Sequence, residues 1–99
     1  MLVYICSPYR GDIRTNTRLA KYYSRQALER GYVPVAPHLL YPSFIDEGTE
    51  RDIAIKCALE ILSRCDQLWI CGDQVSAGMK EEINYAEEKH IVIRRINHE

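Results

Sequence analysis

Asp66 to Ala86 reads DQLWICGDQVSAGMKEEINYA. An apolar, strand-like run passes through a short polar turn into an amphipathic helix. Ser76, Gly78 and several helix carboxylates therefore fall near the C-terminal end of a strand. Ligands of open α/β sheets sit in that crevice. At about 100° per residue, Met79, Ile83 and Ala86 define the inward helix face, Glu81 points away from it, and Glu82 lies about 75° from its centre. A carboxylate on that flank, in the first turns, reaches the crevice while its backbone packs on the sheet, and the helix N terminus favours its anion. The position suits nucleophilic work on a small molecule; it equally suits a solvated glutamate among the many of EEINYAEEK. Ser76 is a natural N-cap. Gly78 suits close packing or close ligand approach. A hydroxyl beside a helix N terminus is also a ready phosphate site.

Two further groups stand where strands end. Ser7-Pro8-Tyr9-Arg10-Gly11-Asp12 follows the first apolar run and reads as a loop. Arg10 offers the fork that pairs bidentately with phosphate, or is a surface arginine beside Asp12. Tyr9 suits stacking on a flat ring or packing at an interface. His38 follows the second strand and reads as a ligand contact, a proton carrier or a structural histidine. Asp66 is expected to bind loop amides, and Asp73 is an acid/base candidate near the turn.

The elements that must position these groups follow from periodicity. Leu2–Cys6 (LVYIC) reads as a strand buried on both faces. Thr15 or Asn16 is expected to cap a helix running to about Arg30, with Leu19, Ala20, Tyr23, Ala27 and Leu28 inward and Gly31 as its stop. Tyr32–Ala36 is a short strand whose Pro34 lacks an amide donor, which favours the sheet edge. Pro37–Gly48 reads as a long loop rich in apolar residues. Thr49-x-x-Asp52 resembles a capping box opening a helix to about Arg64, with Ile53, Cys57, Ile61 and Leu62 as its stripe. A strand at Asp66–Cys71, a helix at Ala77–Lys89 and a strand at Ile91–Ile96 complete the chain. The alternation predicts an α/β fold of Rossmann or flavodoxin-like type: a small open parallel sheet of about four strands with helices on both faces.

Ninety-nine residues make one domain, expected over 1–99. The hydrophobic share of 46% is that of a globular chain, and the net charge of −1 gives no broad basic surface for nucleic acid. Cys6, Cys57, Cys65 and Cys71 form no C-x-x-C pair and read as reduced thiols. No apolar run approaches the roughly 20 residues that span a bilayer. These readings predict a cytoplasmic protein with no membrane or nucleic-acid partner, and so small a domain suits a homodimer or higher homo-oligomer.

The chain resembles the nucleoside 2-deoxyribosyltransferase superfamily, which includes the 2′-deoxynucleoside 5′-phosphate N-hydrolases, and most resembles its small bacterial and phage members. The resemblance is carried by Tyr4–Gly11 (YICSPYRG), Pro37-His38 and above all Ser76–Ala86 (SAGMKEEINYA). The transferases carry D-x-G-T-x-x-E-x-G-Y-A there, and the N-hydrolases place serine first. Ser76, Gly78, Glu82, Tyr85 and Ala86 are in register, whereas Met79 replaces a threonine and Asn84 a glycine.

The resemblance implies Glu82 as the nucleophile that attacks the sugar of a 2′-deoxynucleoside or its 5′-monophosphate. It implies a substrate site made with Ser7, Tyr9, Arg10, Gly11, His38, Asp46, Ser76, Gly78 and Met79. Ser7, Arg10 and the amides around Gly11 correspond to a Ser-x-Arg-Gly loop at the 5′-phosphate. Asp46 and Asp52 are the candidates for the aspartate that handles the base, with Asp52 discounted as a cap. Tyr41 and Phe44 are placed to sandwich a base or to bury against a neighbouring subunit. An N-glycosidic bond breaks through an oxocarbenium-like state, a carboxylate can trap the sugar covalently, and the leaving base needs a proton. No metal or organic cofactor is required. A non-catalytic nucleotide sensor on the same fold, or a pure interaction protein, fits the same residues.

Overall fold

The computed structural model describes residues 1–96. The strands are β1 (Leu2–Cys6), β2 (Val33–Val35), β3 (Gln67–Cys71) and β4 (Val92–Ile96). The helices are α1 (Ile13–Glu29), α2 (Pro37–Leu40), α3 (Arg51–Leu62) and α4 (Ala77–Glu88). All strands pair in parallel in the order β2-β1-β3-β4, with Leu2 opposite Val33, Val3 opposite Gln67 and Gln67 opposite Val92. Pro34 does lie on an edge strand, where its missing amide costs no ladder bond. The chain runs from β1 outward to β2, then returns past β1 to β3. The reversal falls between β1 and β3, and a crevice opens there at the carboxyl ends of the strands.

Side chains alternate across a strand, so each central strand feeds two cores. Val3, Ile5, Trp69 and Cys71 pack with Tyr23 and Ala27 of α1 on one face. Tyr4, Cys6 and Leu68 pack with Ala58 and Leu62 of α3 and with Met79 and Ala86 of α4 on the other. The helices thus cover both faces, as the βα alternation predicted. All four cysteines are free thiols, three of them buried.

Several local expectations are corrected. Asp12, not Thr15 or Asn16, caps α1: its carboxylate accepts from the Thr15 amide at 3.1 Å and the Thr15 hydroxyl at 2.8 Å. Asn16 instead pins the loop after β1, donating to the carbonyls of Tyr9 (3.1 Å) and Arg10 (3.0 Å). Gly31 ends α1 at φ +87, the left-handed conformation glycine adopts freely. The inward face of α1 is Ala20, Tyr23 and Ala27, and Leu28 is 51% exposed. The capping box at Thr49 does not form. Glu50 is the N-cap residue of α3, and its carboxylate reaches back to the Asp46 amide at 3.0 Å. The buried residues of α3 are Ala54, Ala58 and Leu62; Leu62 is inward as expected, but Ala54 and Ala58 take the places expected of Ile53 and Cys57, and Ile53 is 51% exposed. Apolar residues surround this helix, so periodicity alone did not fix its phase; the alanines face inward because α3 lies against both α4 and the sheet. The expected long loop folds into α2 and a 3₁₀ turn at Tyr41–Ser43, each with a proline in its first turn.

Candidate active site

α4 starts at Ser76, whose hydroxyl accepts from the Met79 amide at 3.3 Å while the Ser76 amide donates to the Met79 sulfur at 3.4 Å. This cap fixes the first turn and so the direction of every side chain after it. Glu82, expected on the helix flank, is turned inward and is only 7% exposed. It meets two residues from the same face of β1. The Tyr4 hydroxyl donates to Oε2, and the Cys6 thiol donates to Oε1 at 3.3 Å. Both donors are themselves buried.

A buried carboxylate must be stabilised by hydrogen bonds or take up a proton. Here both influences act. Burial is the largest and raises the Glu82 pKa from its ordinary 4.5 to about 7; the Tyr4 and Cys6 bonds pull it down, and the neighbouring Glu81 adds a small further rise. The same burial, together with the Glu82 charge, raises the Tyr4 hydroxyl and the Cys6 thiol, so both remain protonated donors. Glu82 is thus poised between its acid and its anion near neutral pH, a state characteristic of functional carboxyls.

Glu82 lines a cavity of about 280 Å³ in the crevice at the strand ends, near the lower end of small-molecule sites, roughly 300–1,000 Å³. The loop after β1 contributes Tyr9 and Arg10, and α2 contributes Pro37 and His38. The 3₁₀ turn adds Tyr41 and Pro42, and the start of α4 adds Ser76 to Met79. The wall from α3 is Arg51, Ala54, Ile55, Ala58 and Leu59. Tyr9 stacks on His38 with ring centres 5.1 Å apart and planes 25° from parallel. Burial, with a smaller effect of the Arg51 charge, lowers the His38 pKa against an opposing contact with the Ser7 backbone. Arg10 donates to the Glu47 carbonyl at 3.3 Å. The Arg51 guanidinium makes no hydrogen bond or ion pair among the described residues. A Cβ built on Gly78 would lie 3.7 Å from Arg51 Nη2. That is ordinary contact, so glycine is not sterically required there; its absence of a side chain leaves the cavity open between the α4 N terminus and Arg51.

Of the residues singled out from sequence, Glu82, Tyr9, Arg10, His38, Ser76, Gly78 and Met79 converge on this cavity. Ser7, Gly11 and Asp46 do not line it. Ser7 is buried, and its hydroxyl has no partner among the described residues. Gly11 turns the loop at φ +94. Asp46 accepts from the Gly48 amide at 2.8 Å in its own turn. Asp52 is exposed in the first turn of α3, and Asp66 accepts from the Leu2 amide at 2.7 Å, the structural role expected of it. Asp73 lines a separate depression on the α1 side with Cys71 and Gln74. Tyr41 lines the cavity, whereas Phe44 is 65% exposed. Among the described residues no three His, Cys, Asp or Glu side chains converge to hold a metal ion, and no helix is long and apolar enough to cross a membrane.

Sequence reasoning missed Tyr4, Cys6 and Arg51 as parts of the site. The first two left a signal: in LVYIC the hydrogen-bonding side chains occupy alternate positions, hence one face of an otherwise apolar strand. Arg51 left none, because its place depends on the phase of α3.

A family model described as "Domain of unknown function (DUF7768)" matches residues 1–96. The chain belongs to the DUF7768 family. No curated protein matches it. Among solved structures, this DUF7768 domain is similar to a 2-deoxyribosyltransferase from Bacillus psychrosaccharolyticus, with a TM-score of 0.81 at 15% identity over 98% of this chain and 72% of that one. It is also similar to the 2-desoxiribosyltransferase from Leishmania mexicana, with a TM-score of 0.62 at 20% identity over 99% of this chain and 65% of that one. The DUF7768 domain therefore shares the open parallel α/β fold of these enzymes and spans about two thirds of the Leishmania protein's length.

Proposed function

We propose that the DUF7768 domain cleaves or transfers the N-glycosidic bond of 2′-deoxynucleosides or their 5′-monophosphates, with Glu82 as nucleophile. The observation that carries this reading is the Glu82 carboxylate, buried in the wall of a strand-end cavity and held between Tyr4 and Cys6. The shared fold with two 2-deoxyribosyltransferases supports it. A carboxylate whose two oxygens are fixed by donors presents a defined lone pair to C1′ and stabilises the positive charge that develops there. Attack gives a glycosyl ester on Glu82 and releases the heterocycle. Water then regenerates the carboxylate, or a second heterocycle accepts the sugar. Arg10, Arg51 and the Ser76 end of α4 supply cationic and amide groups for a 5′-phosphate. The exposed Leu40 and Ile53 adjoin cavity-lining residues in the chain, Phe44 is exposed two residues beyond Pro42, and the three suit the homo-oligomer expected from the sequence. The test is release of free base from a panel of purine and pyrimidine deoxynucleosides and their monophosphates, followed by chromatography. Wild-type protein should release base and Glu82→Ala should not; folded protein inert on the whole panel overturns the reading.

A second reading is a non-catalytic nucleotide-binding module on the same fold. It is favoured by the cavity lining, where no second buried carboxyl faces Glu82. Saturable nucleotide binding by calorimetry with no turnover would select it.

A further inference from the structure

We propose that the preferred substrate is an N-glycoside whose heterocycle already carries a positive charge, of the pyridinium or N7-alkylpurine type. The inference rests on the reading of Glu82 as nucleophile and adds the class of leaving group. When a neutral nucleoside is cleaved, the electron pair of the C1′–N bond arrives on the base, which then needs a proton from an acid. When the ring is cationic, the same electron pair cancels its charge, and it departs neutral with no proton supplied.

The cavity is built for the second case. Beyond Arg51 at its start, the α3 wall is aliphatic: Ala54, Ile55, Ala58 and Leu59. Glu47 and Glu81 line the cavity, but Glu81 is exposed and Glu47 half-buried in its loop, so neither is enclosed as Glu82 is. Asp46, Asp52 and Asp73 lie outside this cavity. His38 is stacked on Tyr9, and its burial disfavours the charged, proton-donating form.

A cationic ring also fits the charges present. It gains from the aromatic faces of Tyr9 and Tyr41. Beside Glu82 it favours the carboxylate, so binding itself produces the nucleophile, whereas a neutral ligand that only strips water pushes Glu82 toward its acid. Arg10 and Arg51 repel such a ring and attract a 5′-phosphate, which orients the substrate. Ala58 and Leu59 follow Arg51 by two helical turns, about 10–12 Å along α3, so the repelled ring has an aliphatic wall away from the guanidinium. In the step, a Glu82 oxygen bonds to C1′, the C1′–N bond breaks, and its electrons stay on the departing nitrogen. Water then adds at C1′, its proton passes to solvent, and the carboxylate is restored.

The test compares N7-methyl-2′-deoxyadenosine 5′-monophosphate, whose ring has no acidic N–H and so stays cationic at pH 8, with 2′-deoxyadenosine 5′-monophosphate; the two differ by one methyl group and one charge. Uncatalysed loss of base is subtracted, and binding of both is measured by calorimetry to wild-type and Glu82→Gln protein at pH 8. The expected result is kcat/KM at least 100-fold higher for the cationic substrate, and tighter wild-type binding of the cation that Glu82→Gln removes. Turnover of both substrates within tenfold, abolished by Glu82→Gln, overturns this inference and leaves the nucleophile standing. Turnover of neither, with binding indifferent to charge, overturns both.

Discussion

Glu82→Gln should make the protein more stable at alkaline pH while removing the carboxylate proposed as nucleophile. The rise of the Glu82 pKa from 4.5 to about 7 corresponds to ~3 kcal/mol at ~1.36 kcal/mol per pKa step of one. Below pH 4.5 the carboxyl is protonated in both folded and unfolded chains, and stability is full. Between pH 4.5 and about 7 the unfolded chain gives up the proton and the folded chain keeps it. Stability then falls as pH rises, by at most ~1.4 kcal/mol per pH unit, and levels off above the folded pKa. Glutamine stays neutral throughout, so Glu82→Gln should gain ~3 kcal/mol on wild type between pH 4.5 and pH 8.5. For a chain of this size that is on the order of 15 °C in Tm, or roughly 1–3 M in the urea midpoint. Urea unfolding followed by fluorescence reads this cleanly, because Trp69 is the single tryptophan and is fully buried. Taking the difference between the two proteins cancels the other titrations, including those of Asp12, lowered by its bonds to Thr15, and His38. Two curves parallel within ~0.5 kcal/mol over that range would refute the burial argument.

Tyr4→Phe removes one donor that favours the Glu82 anion, so the acidic limb of the pH–rate profile should move up by about one pH unit, the worth of one such bond; an unmoved limb contradicts this. Arg51→Met should weaken binding of 5′-phosphorylated nucleosides by ~1.5–3 kcal/mol and leave unphosphorylated ones unchanged, read by calorimetry. Ser76→Ala should cost ~1 kcal/mol in urea unfolding through loss of the α4 cap; a loss below ~0.3 kcal/mol would mean the Met79 contact alone sets the helix start.

The layers of the fold were legible because each rested on a strong local signal. LVYIC could only be a doubly buried strand, Pro34 only an edge residue, and Ser76 a cap. What stayed hidden was set by tertiary contact. The phase of α3 was misread because its isoleucines and alanines offer apolar faces all round, and the same error hid Arg51 from the site. Glu82 was picked out by helical phase and by resemblance, but its burial was not, since that depends on Tyr4 and Cys6, which lie 78 and 76 residues away in the chain. Asp46 was carried to the substrate by resemblance, and its side chain instead closes a turn with Gly48.

The central claim is that Glu82 bonds covalently to the sugar. The most direct measurement is intact-protein and peptide mass spectrometry after acid quench within the first turnover, using the best substrate of the panel. The account predicts added mass equal to one glycosyl group, mapped to Glu82 and absent from Glu82→Gln. Substrate consumed with Glu82 unlabelled, or the label on another side chain, would contradict it.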